Sequence, residues 1–105
     1  MQNIKKKILI TGANGFVGKN LTNLLKNKYT VYAVDHFNKK KQTSKEIINL
    51  NLVNKKLIFN FFKNKKIDYI FHLASISDID YSVKYPKKTL QNNINSLLNI
   101  LELAV

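Results

Sequence analysis

Three glycines and one carboxylate carry the strongest chemical signal in this chain. Gly12, Gly15 and Gly18 follow a short apolar run, Ile8, Leu9 and Ile10, and lead into a segment with helical spacing. A buried strand that breaks at glycine and opens a helix brings backbone N–H groups against a phosphate. In that setting Gly12 permits the tight turn, Gly15 lets the backbone approach a pyrophosphate, and Gly18 lets helix and strand pack closely. The first helical turn adds unpaired N–H donors and the positive end of the helix dipole. Asp35 stands 20 residues after Gly15, at the tip of the next apolar run. A carboxylate there accepts hydrogen bonds from adenosine ribose hydroxyls and repels a 2′-phosphate, which favours NAD over NADP. Lys39, Lys40 and Lys41 in the polar stretch that follows keep NADP as a minor alternative.

The elements that must position these groups follow from the apolar pattern. Residues 5–11 predict a strand covered on both faces, since Ile8, Leu9 and Ile10 are consecutive. Residues 16–27 predict a helix with Phe16, Val17, Leu21, Leu24 and Leu25 towards the sheet and Lys19, Asn20, Asn23 and Lys26 away from it. Residues 29–34, rich in β-branched and aromatic side chains, predict a second strand. Residues 38–45 are a polar crossover, with one helical turn around Thr43 to Glu46. Residues 47–52 predict a third, short strand. A helix over 55–65 follows, with Leu57, Phe61 and Phe62 inward and Ile58 at the edge. Residues 67–74 predict a fourth strand and 75–85 a polar connection. Pro86 suits a first helical turn, where its missing N–H has no partner to lose. The helix it opens runs to Val105, with Leu90, Ile94, Leu97, Leu98 and Leu101 as a wide apolar stripe that expects to be covered on most sides.

The order β-α-β-β-α-β-α with right-handed connections gives an α/β fold. It is a Rossmann-type parallel sheet in order 3-2-1-4 flanked by helices, the truncated half of a doubly wound domain. That order places Gly12 to Gly18 beside His72 to Ser75, where a dinucleotide would lie.

Composition narrows the classes. The chain has 105 residues and a formal charge of +12, and all 18 basic residues are lysine. Direct base readout leans on the arginine fork, which is missing, so a solvated lysine surface is expected rather than a nucleic-acid interface. Abundant Lys, Asn and Ile indicate compositional drift. No apolar run approaches the ~20 residues of a membrane span, and the basic N-terminus leads into a strand and glycine turn rather than a signal-peptide core. With no cysteine, neither a disulfide framework nor a thiolate metal site is expected. The location expected is the cytoplasm. His36 with Asp78 and Asp80 forms no metal constellation, so no metal is expected.

Four blocks carry a resemblance: Thr11 to Gly18, Val34 to Phe37, Asp68 to Ser75, and Ser82 to Pro86 followed by Asn92, Asn93 and Ile94. Together they resemble the N-terminal part of the extended short-chain dehydrogenases/reductases, the NAD-dependent nucleotide-sugar epimerases and dehydratases, with the 4-epimerases nearest. The resemblance implies that Gly12, Asn14, Gly15, Phe16, Val17 and Gly18 hold the NAD pyrophosphate. Asp35, with His36 and Phe37 after it, would hold the adenosine ribose. Asn51 and Leu52 match an acid-aliphatic pair beside the adenine, with Asn51 in place of the acid. Leu73, Ala74 and Ser75 would line the nicotinamide-side ribose and phosphate. Asn92 matches a position that reaches the cofactor, and Asn93 one that steadies the turn after the fourth strand. Ser96 and Leu97 stand where the family often has Gly-Thr, and Ser77 where a lysine is common.

In this family, hydride chemistry uses a Tyr-x-x-x-Lys pair and an earlier Ser or Thr. The tyrosine acts as general acid/base. None of Tyr29, Tyr32, Tyr69, Tyr81 or Tyr85 has a lysine four residues on. No catalytic residue is therefore expected among residues 1–105. They read as the N-terminal portion of an NAD(P)-binding domain, without the substrate domain that binds the nucleotide-sugar. His72 and Ser82 read as structural. A catalytically silent nucleotide-binding module is the alternative. The last helix is where a homodimer would form.

Overall fold

The first strand, β1 (Lys7–Thr11), lies between two parallel neighbours and sets the frame. It pairs with β2 (Thr30–Asp35) on one side and β4 (Tyr69–His72) on the other, and β3 (Ile48–Asn49) extends the sheet beyond β2. The sheet order is β3-β2-β1-β4, all parallel, as the sequence predicts. The structure, a computed structural model, describes residues 5–36, 46–76 and 78–105. The turn expected around Thr43 lies outside the described residues.

Alternation along β1 feeds two cores. Ile8 and Ile10 join Ala13, Ala33 and Ile47 on one face, against Leu21 and Leu25 of helix α1 (Phe16–Leu25). Leu9 joins Val34, Leu50, Leu52, Ile58, Phe62 and Ile100 on the other, under α2 (Lys55–Phe62) and α4 (Pro86–Ala104). Because the strands are parallel and in register, Thr11 stands level with Val34 and His72. The chain therefore leaves β1, β2 and β4 at one end of the sheet, and the site residues gather there.

Several elements differ from expectation in phase or extent. On α1 the contact face is Gly18, Leu21, Thr22 and Leu25, one helical stripe that begins at a buried glycine. Phe16 is 86% exposed, and Val17 and Leu24 are exposed too, because the close approach at Gly18 rotates them off the sheet. On α2 the apolar run is nearly continuous from Leu57 to Phe62, so its phase is ambiguous from pattern alone. Ile58, expected at the edge, is fully buried with Phe62 one turn on, while Leu57 is exposed. Asn54 caps this helix by accepting the Leu57 N–H.

The third strand is only Ile48–Asn49. The chain then turns away: Asn51 Oδ1 accepts the Val53 N–H at 3.1 Å and the Asn51 carbonyl accepts from Asn54 at 3.0 Å. Leu50 still donates its N–H to the Asp35 carbonyl at 2.8 Å, and the turn after it ends the pairing while Leu50 and Leu52 both enter the core. The expected polar connection holds a short helix, α3 (Ile79–Lys84), capped by Asp78, which accepts the Tyr81 N–H.

Proline opens α4 as expected. Its sheet-facing side is Ser96, Asn99 and Ile100, with Leu103 packed alongside, whereas Leu90, Ile94, Leu97, Leu98 and Leu101 stay exposed. No helix among the described residues is long and apolar enough to cross a membrane.

The phase of α2 is directly testable. Ile58→Ala is expected to cost about 2–5 kcal/mol, the usual range for a fully buried aliphatic side chain. Leu57→Ala should cost less than about 1 kcal/mol. Urea unfolding midpoints of the two variants check this; equal losses would mean that the helix presents a different face.

Candidate functional site

Gly12 leaves β1 with φ +68, the left-handed region that favours glycine. A Cβ there would lie 2.7 Å from the Leu73 carbonyl carbon and 2.8 Å from the Ala74 nitrogen. The turn thus fits against the backbone that follows β4. Gly15 N–H donates to the Gly12 carbonyl at 3.1 Å, closing the turn. A Cβ on Gly18 would come 2.2 Å from that same carbonyl oxygen, so the helix rests directly on the turn. Gly15 is the N-cap of α1 and offers no side-chain acceptor, nor does the first turn hold an acid. In contrast, α2 and α3 begin on Asn54 and Asp78, which accept their early N–H groups. The start of α1 is the one of these three left open to an outside acceptor.

Asp35 ends β2 beside this turn. One of its oxygens accepts the Asn14 N–H at 2.8 Å and the other the His36 N–H at 2.7 Å. A cavity of about 370 Å³ joins Asp35 and His36 to Gly12 and Gly15. Asn51, Leu52 and Val53 form one wall, and Leu73, Ala74, Ser75 and Ile76 form another; Asn92 and Ser96 of α4 also line it. A larger hollow of about 680 Å³ lies away from the glycine turn, beside α2 and the last residues of α4, and holds none of the expected residues. Among the described residues no group of three or more His, Asp or Glu is placed to hold a metal.

Residues 8–105 match the NAD dependent epimerase/dehydratase family. The chain belongs to that family. It is 27% identical over 113 residues to a UDP-glucose 4-epimerase of Pisum sativum, covering 92% of this chain and 32% of that protein. It is 36% identical over 105 residues to UDP-glucuronic acid decarboxylase 1 of Danio rerio, covering 95% and 25%. The fold superposes on an L-threonine dehydrogenase of Clostridium difficile with a TM-score of 0.78 at 33% identity, covering 97% of this chain and 34% of that one. The chain thus spans a quarter to a third of the length of these proteins.

As a member of this epimerase/dehydratase family, the chain brings ten of the residues singled out from sequence around one cavity: Gly12, Gly15, Asp35, His36, Asn51, Leu52, Leu73, Ala74, Ser75 and Asn92. Asn14, Phe16, Val17 and Gly18 build the turn and first helical turn without lining it. Asn93 acts from behind: its side chain accepts the Ile76 N–H at 2.7 Å and donates to the Ile76 carbonyl at 3.3 Å. Phe37 and Ser77 lie outside the described residues. Sequence reasoning missed Val53, Ile76, Ser96 and Asn99. The available signal was Asn92, Ser96 and Asn99 at helical spacing, a polar stripe along one side of the helix.

The end of β4 is tied to β1 through a buried hydroxyl. Thr11 Oγ1 accepts the Ala74 N–H at 3.1 Å and lies 2.8 Å from His72 Nδ1. The set is satisfied when Thr11 donates to a neutral His72. Burial lowers the His72 pKa from its ordinary 6.5. A lowered folded value means that the unfolded chain takes up the proton first. The contribution to stability is therefore complete above pH 6.5 and is lost as pH falls through the lowered folded value. His72→Asn, which can keep an acceptor near the Nδ1 position, should flatten this acid-side loss. Urea midpoints of both proteins across about pH 5 to 7.5 read the difference.

Proposed function

We propose that this cleft binds NAD and that the chain is the cofactor-binding portion of a nucleotide-sugar epimerase or dehydratase. The observation that carries the reading is the joining, in one cavity, of the side-chain-free glycine turn, which ends at Gly15, the N-cap of α1, and the Asp35 carboxylate. The residues fit the group. Gly12 and Gly15 line the cavity without side chains, so a pyrophosphate can come close to the turn, and the first turn of α1 beyond it has no side-chain cap for its N–H groups. Asp35 is held by two backbone N–H groups, and each of its oxygens keeps acceptor capacity for a ribose hydroxyl.

In this reading Gly12 to Gly18 take the pyrophosphate and Asp35 with His36 the adenosine ribose. Asn51 and Leu52 flank the adenine, and Leu73 to Ser75 with Asn92 face the nicotinamide side. When bound, NAD supplies an acceptor and donor of hydride for a sugar carbon bearing a hydroxyl. Residues 1–105 bind and orient it. A proton-moving pair of the Tyr-x-x-x-Lys kind is not among their five tyrosines. The second reading is a nucleotide-binding module without chemistry of its own.

The exposed leucines of α4 are the surface on which a second copy would pair. Sedimentation at rising concentration tests this: self-association that Leu97→Glu with Leu101→Glu abolishes is the expected result.

Titration of the chain with NAD, followed by amide NMR, is expected to move resonances of residues 12–18 and of Asp35. Asp35→Ala should weaken binding about ten- to a hundredfold, the loss of hydrogen bonds to a charged acceptor. No turnover of a UDP-sugar is expected from residues 1–105. Unmoved amides at saturating NAD would overturn the cofactor reading, and turnover would overturn the division of labour.

A further inference from the structure

Helix α4 exposes five aliphatic side chains, yet its inner side carries Asn92, Asn93, Ser96 and Asn99. Two of these grip backbone on different walls of the cleft. Asn93 holds Ile76 by both its N–H and its carbonyl. Asn99, buried, donates through Nδ2 to the carbonyls of Leu52 at 2.8 Å and Val53 at 3.1 Å. Ile76, Leu52 and Val53 all line the same cavity. Asn93 and Asn99 are six residues apart on one helix, so their grips are separated by roughly 9 Å along a rigid rod.

We infer that Asn99 is a positioning residue for the adenine side of the cleft. By holding the Leu52 and Val53 carbonyls it fixes Asn51 and Leu52 relative to the wall that Asn93 anchors, and α4 becomes the spacer that sets the cleft's width. The chemistry of the side chain fits the task. One amide nitrogen carries two hydrogens and can satisfy two carbonyls at once; aspartate has no donor and serine only one. The loop's internal bonds, Val53 to the Asn51 side chain and Asn54 to the Asn51 carbonyl, hold its shape but not its distance from the opposite wall. The ligand class is an adenine nucleotide, so the inference rests on the cofactor reading above.

The test uses the full chain and the variants Asn99→Leu and Asn99→Ser, the second being smaller and serving if the first does not fold. Amide hydrogen exchange is followed at Val53 and Asn54, with Ile100 as the control on the helix itself. AMP and nicotinamide mononucleotide, the two halves of NAD, are titrated separately. Exchange at Val53 and Asn54 is expected to rise about tenfold or more while Ile100 keeps its protection. AMP affinity is expected to fall about tenfold, with the mononucleotide unaffected. Wild-type exchange at Val53 and Asn54 would overturn the inference. So would equal weakening of both halves, or loss of protection everywhere, either of which marks a general structural role. Failure of the unmodified chain to bind AMP or NAD would sink the cofactor reading and the adenine role with it. The exchange measurement would then still show separately whether Asn99 holds the loop.

Discussion

There is no space for a methyl group between the Gly12 carbonyl and the start of α1. An added Cβ at Gly18 would lie 2.2 Å from that oxygen, and one at Gly12 would lie 2.7 Å from the Leu73 carbonyl carbon. These two contacts are backbone on backbone, so no side-chain rotation relieves them. Everything at the cleft follows from this tight stacking. It brings the open end of α1 to the tip of β1, sets the end of β4 against the turn, and lets the Thr11 hydroxyl reach the Ala74 N–H. Asp35 closes the arrangement from the third side through Asn14.

The sheet is covered unevenly. On the α2 and α4 face, seven buried residues form one core that reaches from Leu9 to Ile100. On the other face α1 stands over β1 and β2, but β4 is bare: Tyr69 and Phe71, on the side opposite Ile70, are exposed. The outer side of α4 is similarly uncovered. Apolar surface left in water forgoes about 25 cal/mol per Å². Two faces of this chain therefore gain from being covered.

Features that demand a particular residue type were legible in the sequence. A left-handed turn and a close helix approach call for glycine, a parallel crossover fixes strand order, and a helix opening on proline announces itself. Helix faces were harder to read. The phase of α1 is set by the buried Gly18, which has no hydrophobicity to betray it, so Phe16, Val17 and Leu24 drew attention that their exposure does not support. The run from Leu57 to Phe62 is apolar except at Asn60, and tertiary contact chooses Ile58 among its members. On α4, Ser96 and Asn99 are buried while five aliphatic residues are exposed. That inversion makes sense only once the carbonyls of Leu52 and Val53 are seen waiting for a donor. Burial of a polar group is decided by its partner, and the partner lies 46 and 47 residues away in sequence.

An epimerase, a decarboxylase and a threonine dehydrogenase, so named, all match this chain over most of its length, while it spans no more than about a third of theirs. A segment shared by proteins with such different names is suited to what they have in common rather than to what distinguishes them. The geometry agrees with that division. The Asp35 carboxylate is held before any ligand arrives, one oxygen by Asn14 and the other by His36, in a chain of net charge +12. A carboxylate already oriented loses little freedom when a sugar hydroxyl donates to it, and binding is stronger by the ordering it no longer has to supply. The walls are fixed in the same way, by Asn93 on one side and Asn99 on the other. This is a cleft organised by folding, and its lining combines two glycines, small side chains and amides with aliphatic residues and the Asp35 carboxylate. On the cofactor reading proposed above, such a lining would select a nucleotide by its shape.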